Sequence, residues 1–218
     1  MATRTSPALR QYGAALRTLL VLTVILGLAY PLAMTALAQV AFGENANGSL
    51  VVRSGRTVGS DLIGQAFTRP VIENGQPKKD ADGNPVVEAD PAYFQSRPSA
   101  AGAGYDPLSS SASNLGAENK DLITAINDRR ATAARRDGVD PQQVAPDALL
   151  ASGSGLDPHI SPAYANQQVA RVARERGLDV AKVRALVTEH TQGRTFGFLG
   201  EPRVNVLKLN VALDAAGR

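Results

Sequence analysis

The residues of this chain that could do chemistry are few: two histidines, no cysteine, and one run that gathers serine, aspartate and histidine. The run is ASGSGLDPHISP, residues 151–162. Ser154, Asp157 and His159 are the side-chain types of a hydrolase triad. Their order is wrong for one. A nucleophile elbow needs G-x-S-x-G between a strand and a helix, whereas the chain reads Ser152-Gly153-Ser154-Gly155. The three candidates are also too close in sequence to converge from different elements. The run lacks the Gly-Lys pair of a phosphate-binding loop. It reads better as a shaped turn: Gly153 and Gly155 for unusual backbone angles, Asp157-Pro158 for rigidity, and Ser161-Pro162 for a helix start. An anion held by the free N–H groups of that helix start is the alternative.

Without cysteine there are no disulfides, thiolate metal ligands or thiol nucleophiles. His190 continues an apolar helical stripe and reads as structural. His159 reads as a residue that orients its loop. Metal sites need several converging ligands, and no such set is expected.

Three helices must position this segment. The first spans about Glu118 to Arg135, with Leu122, Ile123 and Ile126 on one stripe and Gly138 as its stop. The second is bounded by Ser161, Pro162 and Gly177, with the stripe Ala165, Val169, Val172 and Ala173. The third follows Asp179, carries Val180, Val183, Leu186 and Val187, and ends near Gly193. Arg203–Leu213 alternates with a period of two, which predicts a half-buried strand. Leu50–Arg53 predicts a short strand after a Gly/Asn linker. Residues 73–92 are rich in Gly, Pro, Asp and Lys and predict an exposed loop with an NG or DG turn. Residues 95–116 are dominated by Ser, Ala, Gly and Pro. They must pack on something else or stay mobile. The class is α+β with few strands.

The 218 residues carry a net charge of +3, and Arg4, Arg10 and Arg17 account for all of it. The remainder is neutral, unlike the basic surface of a nucleic-acid binder, so no nucleic-acid partner is expected. Arg129, Arg130, Arg135 and Arg136 read as a solvated helix face, with an acidic partner or lipid headgroups as the lesser reading. No charge falls between Thr18 and Gly43, a run long enough to cross a bilayer. The arginines precede it and Glu44 follows it, so the positive-inside bias puts the N-terminus in the cytoplasm. The division is a cytoplasmic tail over 1–17, a transmembrane helix over 18–43 and an extracytoplasmic domain over 44–218. Ala36-Leu37-Ala38 offers the competing reading, a cleaved signal that releases a periplasmic binding or chaperone module. Within the span, Tyr30-Pro31 favours a kink, and Gly27, Ala29 and Ala33 form a small-residue patch where another helix could approach.

The runs SGSGLDPHISP, QQVARVARERG and GRTFGFLGEPRVNVLKLNVAL resemble the C subunit of the Kdp-type high-affinity potassium-transporting ATPase of bacteria, the KdpC family. LIGQAF (62–67), YFQSRPSA (93–100) and SASNLG (111–116) resemble it as well, while 73–92 looks like a variable insertion. The resemblance implies a non-catalytic subunit of the inner (plasma) membrane that stabilises a complex. Its partners would be a potassium-channel-like subunit, a P-type ATPase subunit and a small single-helix subunit, in membrane lipid. It also implies a catalytic chaperone that raises the ATP affinity of the ATPase subunit. Ser154, Gly155 and Gln168, beside Gln167, would then contact ATP, the only cofactor implied. That contact conflicts with the extracytoplasmic placement of residues 44–218.

Overall fold

The computed structural model describes residues 6–217; Arg4 lies outside the described residues. The chain divides into two compact units, one ending at Leu50 and the other beginning at Val51.

In the first unit, helix α1 (Pro7–Val24) starts where the Ser6 hydroxyl accepts the Leu9 N–H, with proline at its first position. It runs through a π turn at Ile25–Ala29 into α2 (Tyr30–Ala41). Pro31 explains the turn. It has no N–H for the Gly27 carbonyl and its ring would press on it. The backbone widens instead, and the Tyr30 N–H bonds to Ile25 O. The composite helix, Pro7–Ala41, has 35 residues, and its most apolar stretch reaches a mean hydropathy of 2.1. That is long and apolar enough to span a membrane. It carries Arg10 and Arg17 on its N-terminal turns, and α3 (Gly43–Ala46) is a single turn after it.

After α3 the chain forms β1 (Leu50–Arg53), paired to β2 (Arg56–Ser60). Residues 73–92, expected as an exposed loop with an NG or DG turn, are mostly exposed and do turn at Asn74-Gly75, but short paired strands flank the turn and make the segment a β-arm. β3 (Thr68–Pro70) pairs antiparallel with β6 (Val87–Ala89), and β4 (Ile72–Glu73) pairs with β5 (Gln76–Pro77) between them. The polar composition hid the strands, while the turn is where the dipeptide puts it. Asn74 and Gly75 both adopt positive φ, at 53° and 79°, which is the backbone of a tight hairpin.

Helix α4 (Lys120–Asp137) is capped by Asn119 and stopped by left-handed Gly138. Helix α5 (Pro162–Arg176) has the expected boundaries: Ser161 accepts the Tyr164 N–H at 3.0 Å, and Gly177 is left-handed at the exit. Helix α6 (Val180–Glu189) is capped by Asp179. β7 (His159–Ile160) and β8 (Thr191–Gln192) flank β9 (Arg203–Asn205), all antiparallel, in the order β7-β9-β8.

The long C-terminal strand is a correction. Only Arg203–Asn205 is strand; α7 (Val206–Ala216) is helix. Asn205 turns the chain, its side chain accepting the Lys208 N–H at 3.0 Å. Beyond it Val206, Leu209, Asn210 and Leu213 are buried at spacing i, i+3, i+4, i+7. The same letters also alternate, so periodicity was ambiguous over this run.

The core is built from the inward stripes of α5, α6 and α7 together with Val204 of β9. Val169, Val172, Val183, Val187, Val204, Leu209 and Leu213 are all essentially sealed from solvent. Each contributes about 1.5–3 kcal/mol. Through this apolar layer runs an ionic one. Asp137, at the end of α4, and Arg171, in α5, are both fully buried and meet at 2.9 Å. Arg136 and Gln167 also donate to the Asp137 carboxylate, at 2.9 and 2.7 Å. Arg171 further donates to Pro91 O, to Tyr93 O and to Gln168 Oε1. Burial would raise the Asp137 carboxyl, but these donors and the two guanidinium charges outweigh it and hold it below the ordinary aspartate range.

Replacing Asp137 with Ala leaves the Arg171 charge buried without its counter-ion. Unfolding of the detergent-solubilised full chain should lose about 3–5 kcal/mol, whereas Asp137→Leu with Arg171→Met should lose much less. Because the folded-state pKa of Asp137 is depressed, its contribution is present above the unfolded-state value and is lost as pH falls below about 4. Urea titrations at stepped pH read both effects.

Candidate functional site

The segment from Ser152 to Gln168 holds every residue singled out for chemistry except His190. His190 caps α6, with its Nδ1 3.0 Å from Leu186 O. Within the segment the glycines divide. Gly155 is left-handed at φ 68°, and a Cβ there would lie 2.6 Å from Ser111 O and 2.7 Å from Ala101 N. Gly153 has open space around it and no positive φ, so only one of the two expected special angles is present. The close approach at Gly155 lets the Ser/Ala/Gly-rich stretch lie on the loop. Ser99 Oγ donates to Gly155 O at 2.6 Å, and Ser110 Oγ and the Ser111 N–H donate to Ser154 O at 2.9 and 3.0 Å. The stretch is therefore packed. Gly64 holds the other side, its N–H donating to Leu156 O at 2.8 Å.

Ser154, Asp157 and His159 do not assemble into a triad. The Ser154 hydroxyl accepts from the Leu156 N–H at 3.1 Å. Asp157 accepts the His159 backbone N–H at 2.9 Å and lies 3.2 Å from its Nδ1, while Arg97 reaches its other oxygen at 3.4 Å. Burial would raise the Asp157 carboxyl, yet the His159 hydrogen bonds and the Arg97 charge keep it below the usual range. Arg97 also donates to Leu150 O, and its own carbonyl accepts from Tyr105, whose hydroxyl burial pushes up to about 12. Asp147 receives both the Ser161 N–H and the Ser161 hydroxyl. A cleft of about 310 Å³ opens beside Arg97, Asp157, His159 and Arg203. The polar groups on its wall are mostly engaged in holding their own loop.

Gln168, which the resemblance marks for ATP contact, does not present its side chain at the surface. It is fully buried. Its Oε1 accepts the Gln95 N–H at 2.7 Å and Arg171 Nη2 at 2.7 Å, and its Nε2 donates to Gln95 O at 3.1 Å. Three of its four hydrogen-bonding positions are thus filled. Asn210 treats Phe94 the same way, accepting its N–H and donating to its O, both at 2.9 Å. Two side-chain amides thereby replace a neighbouring strand for the segment Phe94-Gln95. Gln167 bonds the Ala145 N–H and Asp137. The arginine cluster on α4 is not simply a solvated face either. Arg129 donates to Leu149 O, and Arg136 bonds Asp137 and Tyr164.

Sequence reading missed Asp137, Arg171, Gln95 and Asn210. A signal was present for Gln168: Ala165, Gln168, Val169 and Val172 share one helical face, so a glutamine at that position had to be buried. No pattern marks Asp137: besides its neighbour Arg136, its partners Gln167 and Arg171 come from a helix far along the chain. Among the described residues, no group of three or more His, Asp or Glu side chains is placed to hold a metal ion.

These features define a mixed α/β domain behind one apolar N-terminal helix, with its polar interior used for architecture. A family model described as "K+-transporting ATPase, c chain" matches residues 12–215. The potassium-transporting ATPase KdpC subunit of Kineococcus radiotolerans is 52% identical over 208 residues, covering 95% of each chain. The KdpC subunit of Sorangium cellulosum is 50% identical over 93% of this chain and 96% of its own. That of Methylococcus capsulatus is 48% identical over 92% and 95%. The chain belongs to the KdpC family.

Two substitutions distinguish shape from decoration in this segment. Gly155→Val should destabilise by at least about 1–3 kcal/mol from backbone strain alone, while Gly153→Val should stay within about 0.5 kcal/mol. Gln168→Ala orphans two buried backbone groups at Gln95 and should cost about 2–4 kcal/mol. Denaturant unfolding of the full chain measures all three; a silent Gln168→Ala would show that the amide clip carries no stability.

Proposed function

We propose that the chain is a non-catalytic accessory subunit of an ATP-driven potassium-uptake complex in a bacterial inner membrane, with catalysis in a separate P-type ATPase subunit. The observation that carries the reading is the family match over residues 12–215, which takes in the apolar helix and the domain together. The names of the relatives support potassium transport. In this reading the helix over 18–43 is a retained anchor, residues 1–17 are cytoplasmic and residues 44–218 lie outside. The partners are a channel-like subunit, the ATPase subunit and a small single-helix subunit. The role of the domain is to stabilise the assembly.

The family resemblance adds a second role, raising the ATP affinity of the ATPase subunit through contacts at Ser154, Gly155 and Gln168. The exposed Ser154 favours it. Two things weigh against direct contact by Gln168: its amide is committed to Gln95 and Arg171, and the arginine asymmetry favours a domain on the side away from cytoplasmic ATP. We therefore assign the segment to architecture, with any effect on ATP affinity transmitted through the assembled complex.

The chain has no native cysteine, so single cysteines report topology cleanly. A cysteine at Ser111 should react with a membrane-impermeant thiol reagent in intact cells and one at Ser6 should not; the reverse pattern would overturn the topology. Affinity purification of the full chain from its own membranes should bring down the channel-like and ATPase subunits. Recovery of a chain lacking residues 1–38 would instead favour a released periplasmic module. Ala29→Ile with Ala33→Ile should lower complex yield without preventing insertion, because branched bulk holds a neighbouring helix away.

A further inference from the structure

A cavity of about 240 Å³ opens between the β1–β2 hairpin, the chain at 65–68 and one face of α7. Much of its wall is apolar, from Val58, Phe67, Leu207 and Val211. Phe67 stacks on Tyr93 with ring centroids 5.6 Å apart, and the Arg176 guanidinium lies over the Tyr93 ring at 4.3 Å, which fixes the aromatic wall. Gly59 makes room beside it. A Cβ there would lie 2.8 Å from Leu207 Cδ2 and 2.9 Å from Gln65 Oε1, two side chains that line the cavity. Only two of the lining residues are charged, Arg53 and Asp214, and they pair. Asp214 is shared, however: it also holds Arg176 Nη1 at 2.6 Å and accepts from the Tyr93 hydroxyl at 3.4 Å. Two guanidiniums thus answer to one carboxylate, and the cluster carries one positive charge in excess. Arg53 meets Asp214 through Nη1, which leaves its Nε and Nη2 without a hydrogen-bond partner among the described residues.

We infer that this cavity binds a small monocarboxylate with an apolar body, its carboxylate on the free edge of Arg53 and its body against Phe67, Leu207 and Val211. The inference does not depend on the reading of the chain as a pump subunit. Charge selects the head group. One carboxylate balances the excess, whereas a phosphate dianion would overshoot it with no further cation lining the cavity. Geometry agrees, because the Nε and Nη2 hydrogens of a guanidinium point the same way and fit two carboxylate oxygens side by side. The apolar wall selects the body, each buried methylene adding roughly fourfold to affinity. Size sets the upper limit. Sites for drug-sized ligands run to about 300–1,000 Å³, so this smaller cavity suits a short aliphatic or single-ring acid and excludes a peptide or a two-chain lipid. Apolar walls with a few placed polar groups are the general form of a small-molecule site.

Thermal unfolding of the full chain in a non-ionic detergent, followed by circular dichroism, tests this with hexanoate and phenylacetate as probes. Either acid should raise the midpoint saturably, as a ligand of the folded state does. Acetate keeps the head without the body, and hexanol keeps the body without the head. Each should bind at least roughly tenfold more weakly than hexanoate. Arg53→Lys keeps the charge and loses the fork, while Val211→Phe keeps Arg53 and fills the cavity. Each variant should weaken hexanoate binding by at least roughly tenfold. Arg53 is partly exposed, so Arg53→Lys should keep the fold and decide the question even if Val211→Phe does not fold. No saturable shift with either acid would overturn the proposal. So would a hexanoate response that hexanol matches, or one that a folded variant leaves unchanged, since the acid would then sit in the micelle or elsewhere on the chain.

Discussion

A carboxylate at the end of one helix and a guanidinium in the middle of another, both out of reach of water, set the terms for the rest of the domain. Asp137 and Arg171 could not be buried singly, since an isolated charge in the interior is far more costly than a paired one. Once they meet, α4 is tied to α5 at a fixed point. The remaining donors of Arg171 then reach Pro91 O and Tyr93 O, so the irregular chain around residue 92 is held by the same ion pair. Gln167 and Arg136 complete the shell around the carboxylate. The apolar stripes of α5, α6 and α7 supply most of the burial, while this pair determines which loops lie over them.

Much of the domain has no regular structure, and its backbone groups need partners nonetheless. Gln168 and Asn210 provide them for Phe94 and Gln95, Asp147 for the start of α5, and the serines at 99, 110 and 111 bind the loop at 152–157. Helices and short strands act as a frame on which amide and hydroxyl side chains pin extended segments. The same economy explains why a run with serine, aspartate and histidine has no triad. Asp157 orients His159 and receives Arg97, and each of these contacts shapes a loop. A domain organised this way presents a stiff surface, which suits the proposed role of holding a membrane assembly together.

Membership of the KdpC family and the polar interior meet at Gln168. A residue that the resemblance marks for ligand contact is, in the fold, a structural clip between α5 and the segment before Ser96. Architecture gives that position a sufficient reason of its own, and it gives the neighbouring Gln167 another through Asp137 and Ala145.

Local physics made a large part of this protein legible from sequence. The apolar run before Glu44, the Ser161-Pro162 start and Gly177 stop of α5, the Asp179 cap of α6 and the stripe through Ala165, Val169 and Val172 all depend on residues within a few positions of one another. So does the Asn74-Gly75 turn, whose surrounding strands were nevertheless hidden by a polar composition. Tertiary structure alone decided the rest. Val204–Leu213 alternates and also fits a helical face; Asn205 capping and the core on one side selected helix. Asp137 and Arg171 are 34 positions apart, and Phe94 and Asn210 are 116 apart. The pairing of buried polar groups depends on which segments the fold brings together, and no local spacing encodes that.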